Sequence, residues 1–97
     1  MGQPNVRINT DLSSGHGCWP PTLPIQASMN VFCNGLAEVR VGDAYMVHLC
    51  PGKGAHQGKA LTGATKTFTN GKLVHTVGGA IDCGDFAQNG SPNVFSG

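Results

Sequence analysis

Charge is what this chain has least of. Asp, Glu, Lys and Arg make up 11% of its 97 residues, against about 25% in an ordinary globular domain. There are 6 Lys and Arg and 5 Asp and Glu, for a formal net charge of +1. Cations this few and this scattered make no basic stripe, so no nucleic-acid partner is expected. Glu38 is the sole glutamate, a poor stock of general bases for catalysis. Aromatic side chains are scarce too, with one Trp, one Tyr and four Phe, which excludes a core built on large rings. No apolar run reaches the length of a membrane span, and none of signal-peptide type follows Met1. No CxxC pair occurs among Cys18, Cys33, Cys50 and Cys83, which weakens zinc-ribbon and thioredoxin-type readings. The expected setting of synthesis is a reducing cytosol. Disulfides are disfavoured there, and metal binding is the better reading of Cys and His.

Glycine, by contrast, is plentiful, at 15 residues, and each one adds to the chain entropy lost on folding. A chain of this length buries only about 60–65% of its unfolded surface. The expectation is one small domain, 1–97, that needs help from a metal, a disulfide or a partner.

Two segments carry the strongest short hairpin signal, Asn-Gly between β-prone runs. Residues 30–33 lead through Asn34-Gly35 into 36–41, and residues 65–69 lead through Asn70-Gly71 into 72–77. Beyond the turns, AEVRVGDA (37–44) lies over LVHTVGGA (73–80) at an offset of 36 residues. PNVRINTD (4–11) matches the same pattern if Thr10 is an insertion. Pro92-Asn93-Val94-Phe95 echoes Met29-Asn30-Val31-Phe32. The sequence therefore reads as three repeats, 29–50, 65–84 and 4–16, the last completed by 92–95 from the other end of the chain. No helical periodicity is present. The expected fold is mostly β, a pseudo-three-fold set of hairpins with glycine-rich loops. Val6, Ile8, Val39, Val41, Leu73 and Val77 are its expected inward face.

Following each repeat past this strand locates candidate ligands. His16 follows Asp11 by five residues, His48 follows Asp43 by five, and Cys83 follows Gly79, which holds the Asp position, by four. Three zinc-type ligands at equivalent places converge if the repeats surround an axis. A closed tetrahedral site needs a fourth. His56, in the glycine-rich stretch 50–56, is the best placed. Cys50, two residues past His48, is its rival and that of His48. Cys18 lies two residues beyond the repeat-equivalent position and reads as a small buried residue. Cys33 reads as a packing or solvent-facing residue, and His75, standing where Val6 and Val39 stand, as a core histidine with a satisfied ring. The bland alternative makes His16 and His48 polar loop residues.

The stretch NGLAEVRVGD (34–43), the glycine-flanked His16, and the phrases NVFCNG (30–35) and SPNVF (91–95) resemble the PAAR-repeat proteins. These are named for a Pro-Ala-Ala-Arg motif that appears here as PNVR, AEVR and LVHT, the third without its arginine. The resemblance spans essentially the whole chain. It implies a small cone of three β repeats with a metal near its apex. The metal is usually zinc, with iron the alternative, held by three histidines and one cysteine, which match His16, His48, His56 and Cys83. It further implies a non-enzymatic role as the sharp tip of a contractile injection machine. One copy caps a trimeric β-helical spike protein and makes transient contact with the target cell envelope. GHGCWPP (15–21) looks more like the phage-baseplate branch, which places the protein in the virion at the tail spike. The alternative is a tip or effector adaptor secreted by a type VI system. A zinc hydrolase is the reading from another class, and it would require an open coordination position.

Overall fold

The computed structural model describes residues 2–97. It is a small all-β structure of short strand pairs, with no helix among the described residues. Its principal extents are 39 × 25 × 22 Å. The strands are β1 (Gln3–Pro4), β2 (Phe32–Cys33), β3 (Leu36–Ala37), β4 (His48–Cys50), β5 (Gly54–His56), β6 (Phe68–Thr69), β7 (Lys72–Leu73) and β8 (Phe95–Ser96). All four pairings are antiparallel: β1 with β8, β2 with β3, β4 with β5, and β6 with β7.

The two Asn-Gly turns take the conformation their chemistry favours. Asn34 and Gly35 have φ of 55° and 79°, and Asn70 and Gly71 have 55° and 78°. Positive φ at both central residues defines a type I′ turn, whose twist matches that of the flanking strands. The hairpins are shorter than the β-prone runs in the sequence. Glu38 and Val74 still donate to Val31 and Thr67 C=O at 3.1 and 3.0 Å, and beyond them the chain leaves its hairpin partner for other segments. Isolated bridges join Asn5 to Thr76, Arg7 to Glu38 and Arg40 to Val74.

These bridges close a ring. Val39 N–H donates to Val6 C=O, His75 N–H to Val39 C=O, and Val6 N–H to His75 C=O, each at 3.0 Å. A second ring lies beside it: Ile8 donates to Ala37 at 3.0 Å, Val41 to Leu73 at 2.8 Å and Val77 to Pro4 at 2.9 Å. Closure leaves the participating strands no open edge on this layer, which is how so short a set of pairings holds together.

The ring changes what is buried. Of the expected inward set, Val6 and Val39 are fully buried, while Ile8, Val41, Leu73 and Val77 are only half-buried. Asn5, Glu38, Val74, His75 and Thr76 are buried in addition. Strict alternation fails because these segments are not strands of one sheet with a wet face. Neighbouring segments cover both sides. Hydrogen bonds offset much of the polar burial, although Asn5 Oδ1 is buried without a partner. The Glu38 carboxyl group accepts from Asn5 Nδ2 at 2.8 Å and from the Thr69 hydroxyl. Six of the buried apolar residues form two small clusters, Val6, Val39 and Ala87 against Ala27, and Tyr45, Ala60 and Ile81 against Cys83.

His75 lies between the clusters, fully buried. Its Nδ1 lies 2.7 Å from Thr62 C=O, and its Nε2 lies 3.0 Å from the Tyr45 hydroxyl. A carbonyl can only accept, so Nδ1 carries the proton and Nε2 accepts from Tyr45, the neutral tautomer. The segment around His75 carries no Arg–Asp pair, unlike two others. Arg7 grips Asp11, and Arg40 grips Asp43, with Nε–Oδ2 distances of 2.8 and 2.9 Å. Thr76 and Gly79 stand at the corresponding places. A Cβ on Gly79 would meet Thr62 C=O and lie 2.9 Å from His75 Cε1, so the imidazole occupies space that an aspartate would need.

Burial, partly offset by the Thr62 hydrogen bond and Asp43, lowers the His75 pKa below its ordinary value of 6.5. The unfolded chain then binds the proton more readily than the folded one. Stability contributed by neutral His75 is full above about pH 6.5 and is lost as pH falls below it. The expected result is a steeper acid loss of melting temperature in the wild type than in His75→Val. Parallel pH profiles for the two proteins would refute it.

Candidate metal centre

His48 and His56 reach the site through one hairpin. They are directly opposed across β4 and β5, so strand register alone sets their spacing. Gly52 and Gly54, with φ of 84° and 104°, turn the chain between them. His16 comes from the separate loop 15–21. There His16 N–H donates to Trp19 C=O at 3.0 Å and Trp19 N–H to His16 C=O at 2.9 Å. Gly15 has φ 77°, and a Cβ there would stand 2.8 Å from Trp19 C=O. Both its backbone conformation and its surroundings demand glycine. Cys83 sits in a turn closed by the Gly84 N–H to Ile81 C=O bond of 3.0 Å, with Gly84 at φ 101°.

The four side chains meet. Nε2 of His16 lies 3.3 Å from that of His48 and 2.9 Å from that of His56, and the latter two are 2.7 Å apart. Cys83 Sγ lies 4.0 Å from His48 Nε2. The four ligand atoms all fall within 4.8 Å of one another. A tetrahedron with metal–nitrogen bonds of about 2.0–2.1 Å has nitrogen–nitrogen edges of about 3.3 Å, so the group has the scale of a coordination shell. It can hold a metal ion.

The surroundings fit that use. His48 Nδ1 is 2.8 Å from Pro20 C=O. That carbonyl fixes the proton on Nδ1 and turns the Nε2 lone pair toward the other rings, the arrangement metal-bound histidines adopt. Trp19 packs against two ligands. Its ring centroid is 5.2 Å from that of His16 and 4.7 Å from that of His56. Its indole N–H donates to Gly54 C=O at 3.0 Å, tying loop 15–21 to the β4–β5 hairpin. Burial, then the neighbouring His48 and His16 against a smaller opposing effect of Asp85, pushes the His56 pKa down, so the ring stays neutral and free to ligate. Burial pushes the Cys83 thiol up, partly offset by backbone hydrogen bonding at Asp85. A cation at the site would reverse that by stabilising the thiolate.

The other cysteines fall elsewhere. Cys18 and Cys50 form a disulfide, their Cα atoms 5.4 Å apart and their positions 32 residues apart. This overturns the expectation that disulfides are absent. It also removes Cys50 as rival ligand, and it corrects Cys18, which is exposed rather than buried. The physical reason is proximity. The ligand cluster and the Trp19–Gly54 bond bring loop 15–21 onto the β4–β5 hairpin, so residues remote in sequence become neighbours. Cys33 is a free, buried thiol, 3.4 Å from Asn34 Oδ1. Asp85, one of the acidic residues that the sequence places near the candidate ligands, is 3% exposed. Its Oδ1 accepts from the Ser14 hydroxyl at 2.8 Å and its Oδ2 has no partner.

Gly15→Ala is expected to weaken metal binding about tenfold or more by displacing His16, since a positive-φ clash costs about 1–3 kcal/mol. Competition with a chromophoric chelator measures it, and unchanged affinity would show that the loop does not position His16. No protein-family model matches the chain, and no curated protein matches it.

Proposed function

We propose that this protein is a spike tip of the PAAR-repeat kind: a small cone of three repeats, stiffened at its point by zinc. The observation that carries the reading is the ring of three hydrogen bonds through Val6, Val39 and His75. Each ring residue is followed, at nearly the same distance along the chain, by one ligand of the His/Cys cluster. In this reading the ring marks a pseudo-three-fold axis, and His16, His48 and Cys83 are its three equivalent ligands. His56 supplies the fourth. The β1–β8 pair then serves as the third hairpin, assembled from the two ends of the chain, with Gln3 opposite Ser96 and Pro4 opposite Phe95.

Three further residues support an assembly at the broad end. Phe32, Phe68 and Phe95 begin β2, β6 and β8, pair with Ala37, Leu73 and Pro4, and are 61%, 62% and 56% exposed. One exposed phenylalanine per repeat matches a partner with three identical chains. A trimeric β-helical spike presents three equivalent chain ends, which a single tip can cover with its strand edges and these rings. The reading needs no chemistry. Three imidazoles and a thiolate complete a tetrahedron, the mark of a structural zinc site, and this donor set suits zinc better than harder ions. The phage-baseplate setting rests on the GHGCWPP stretch.

The test is assembly. Mixed with candidate trimeric β-helical spike proteins, the chain is expected to form a complex of one tip per three spike chains in native mass spectrometry. Elemental analysis of the same complex should find one zinc per tip. Replacing Phe32, Phe68 and Phe95 together with serine should abolish the complex without removing the metal. A complex with three tips per trimer, or one indifferent to the three substitutions, would sink the reading.

A further inference from the structure

We propose that the Cys18–Cys50 disulfide is a redox staple for the metal centre, so that forming it tightens metal binding and metal binding in turn protects it. The inference rests on the metal-centre reading and is independent of any spike partner. Cys18 lies two residues beyond His16 and Cys50 two residues beyond His48, so the bond joins the two segments that deliver these ligands at the same step past each. His56 faces His48 across β4–β5. One covalent link therefore fixes the whole three-histidine set relative to itself.

The set needs such a link. Three Nε2 atoms stand 2.7–3.3 Å apart, and the Nδ1 proton of His48 is committed to Pro20 C=O. When all three Nε2 atoms present lone pairs, as metal binding requires, they repel one another until a cation sits between them. The apolar packing that could hold the loops against that repulsion is thin. Trp19 covers one side, and of the two buried clusters only that of Tyr45, Ala60 and Ile81 touches a ligand, Cys83. With the disulfide open, loop 15–21 can withdraw from the hairpin and relieve the repulsion. With it closed, the three rings stay convergent, and the ordering cost of binding is already met.

Closing the bond removes two electrons and two protons from the thiols of Cys18 and Cys50. A small-molecule disulfide such as oxidised glutathione accepts both and leaves as two thiols. Linkage makes the effect reciprocal. If oxidation strengthens metal binding by a given factor, the metal makes reduction harder by the same factor, about 30 mV for each tenfold.

The experiment uses the full chain, oxidised and after phosphine reduction, with Zn2+ titrated against a chromophoric chelator. Reduction is expected to weaken Zn2+ binding about tenfold or more, within the usual range of coupling between sites. In glutathione redox buffers at clamped free Zn2+, the disulfide should be correspondingly harder to reduce with the metal than without it. The Cys18→Ser/Cys50→Ser double variant should bind Zn2+ like the reduced wild type. The wild-type comparison decides the matter by itself if that variant does not fold. Equal affinities in the two redox states, or tighter binding by the dithiol form, would overturn the coupling and leave the metal centre standing. No binding in either state would overturn the metal centre and the coupling with it.

Discussion

Stripping the metal from the oxidised protein is expected to lower its melting temperature by about 20 °C or more. The four ligands come from three separate stretches of chain: loop 15–21, the β4–β5 hairpin and the turn at Cys83. The Cys18–Cys50 bond joins the first to the second and the Ser14–Asp85 hydrogen bond the first to the third, but only a metal would bind all three at one point. The apolar packing is thin, with two clusters of three buried residues each and a few more such as Val74 and Ala64, and a fully buried aliphatic side chain contributes about 1.5–3 kcal/mol. A structural zinc contributes about 10 kcal/mol or more of apparent folding free energy at neutral pH. That equals the entire net stability of an ordinary domain, about 5–15 kcal/mol. In a domain of this size each kcal/mol moves the midpoint by about 4–8 °C, so even half of that contribution gives the stated shift. His48→Ala should reproduce it without chelator, because it removes a ligand while sparing the disulfide. Calorimetry on metal-loaded and chelator-treated protein, both with the Cys18–Cys50 bond intact, gives the answer. Coincident melting curves would exclude a structural metal.

The sequence disclosed the turns and the ligand cluster for different reasons. Asn34-Gly35 and Asn70-Gly71 are local signals, and a type I′ turn asks only for residues that accept positive φ. His16, His48 and Cys83 were legible through their shared position after a repeated segment, and His56 through the flexibility of the chain around it. The disulfide was missed because a reducing cytosol, where disulfides are rare, was the expected setting of synthesis, and 32 residues separate the pair along the chain. Cys18, Cys50 and Asp85 each lie two residues past a member of the His/Cys cluster, and the first two carry the bonded sulfurs. Burial was misjudged at Glu38, Asn5 and Thr76 because alternation presumes a sheet with one wet face. In a closed ring the polar face of one segment lies against the next, and hydrogen bonds such as Asn5 to Glu38 replace solvent.

The second large effect is expected at Asp43. Its carboxylate is fully buried and accepts from Arg40 Nε at 2.9 Å, from the Arg40 second guanidinium nitrogen at 3.0 Å and from the Arg40 backbone N–H at 2.8 Å. The Arg40 side chain is itself only 11% exposed. Asp43→Ala therefore strands a nearly buried guanidinium, and breaking such a pair from one side costs about 3–5 kcal/mol. Arg40 would keep only weaker partners, Asn70 Oδ1 at 3.1 Å and Ala27 C=O at 3.3 Å. The molecule itself shows that the pair can be dispensed with as a unit. Thr76 and Gly79 occupy the matching places in the segment after β7, and that segment folds with neither charge. The double variant Arg40→Thr/Asp43→Ala removes the stranded cation along with its partner, so it should be more stable than Asp43→Ala alone. Denaturant unfolding of the four proteins in this cycle measures the coupling. A double variant whose loss equals the sum of the single losses would mean that the penalty lies in lost packing around Asp43 rather than in an uncompensated charge.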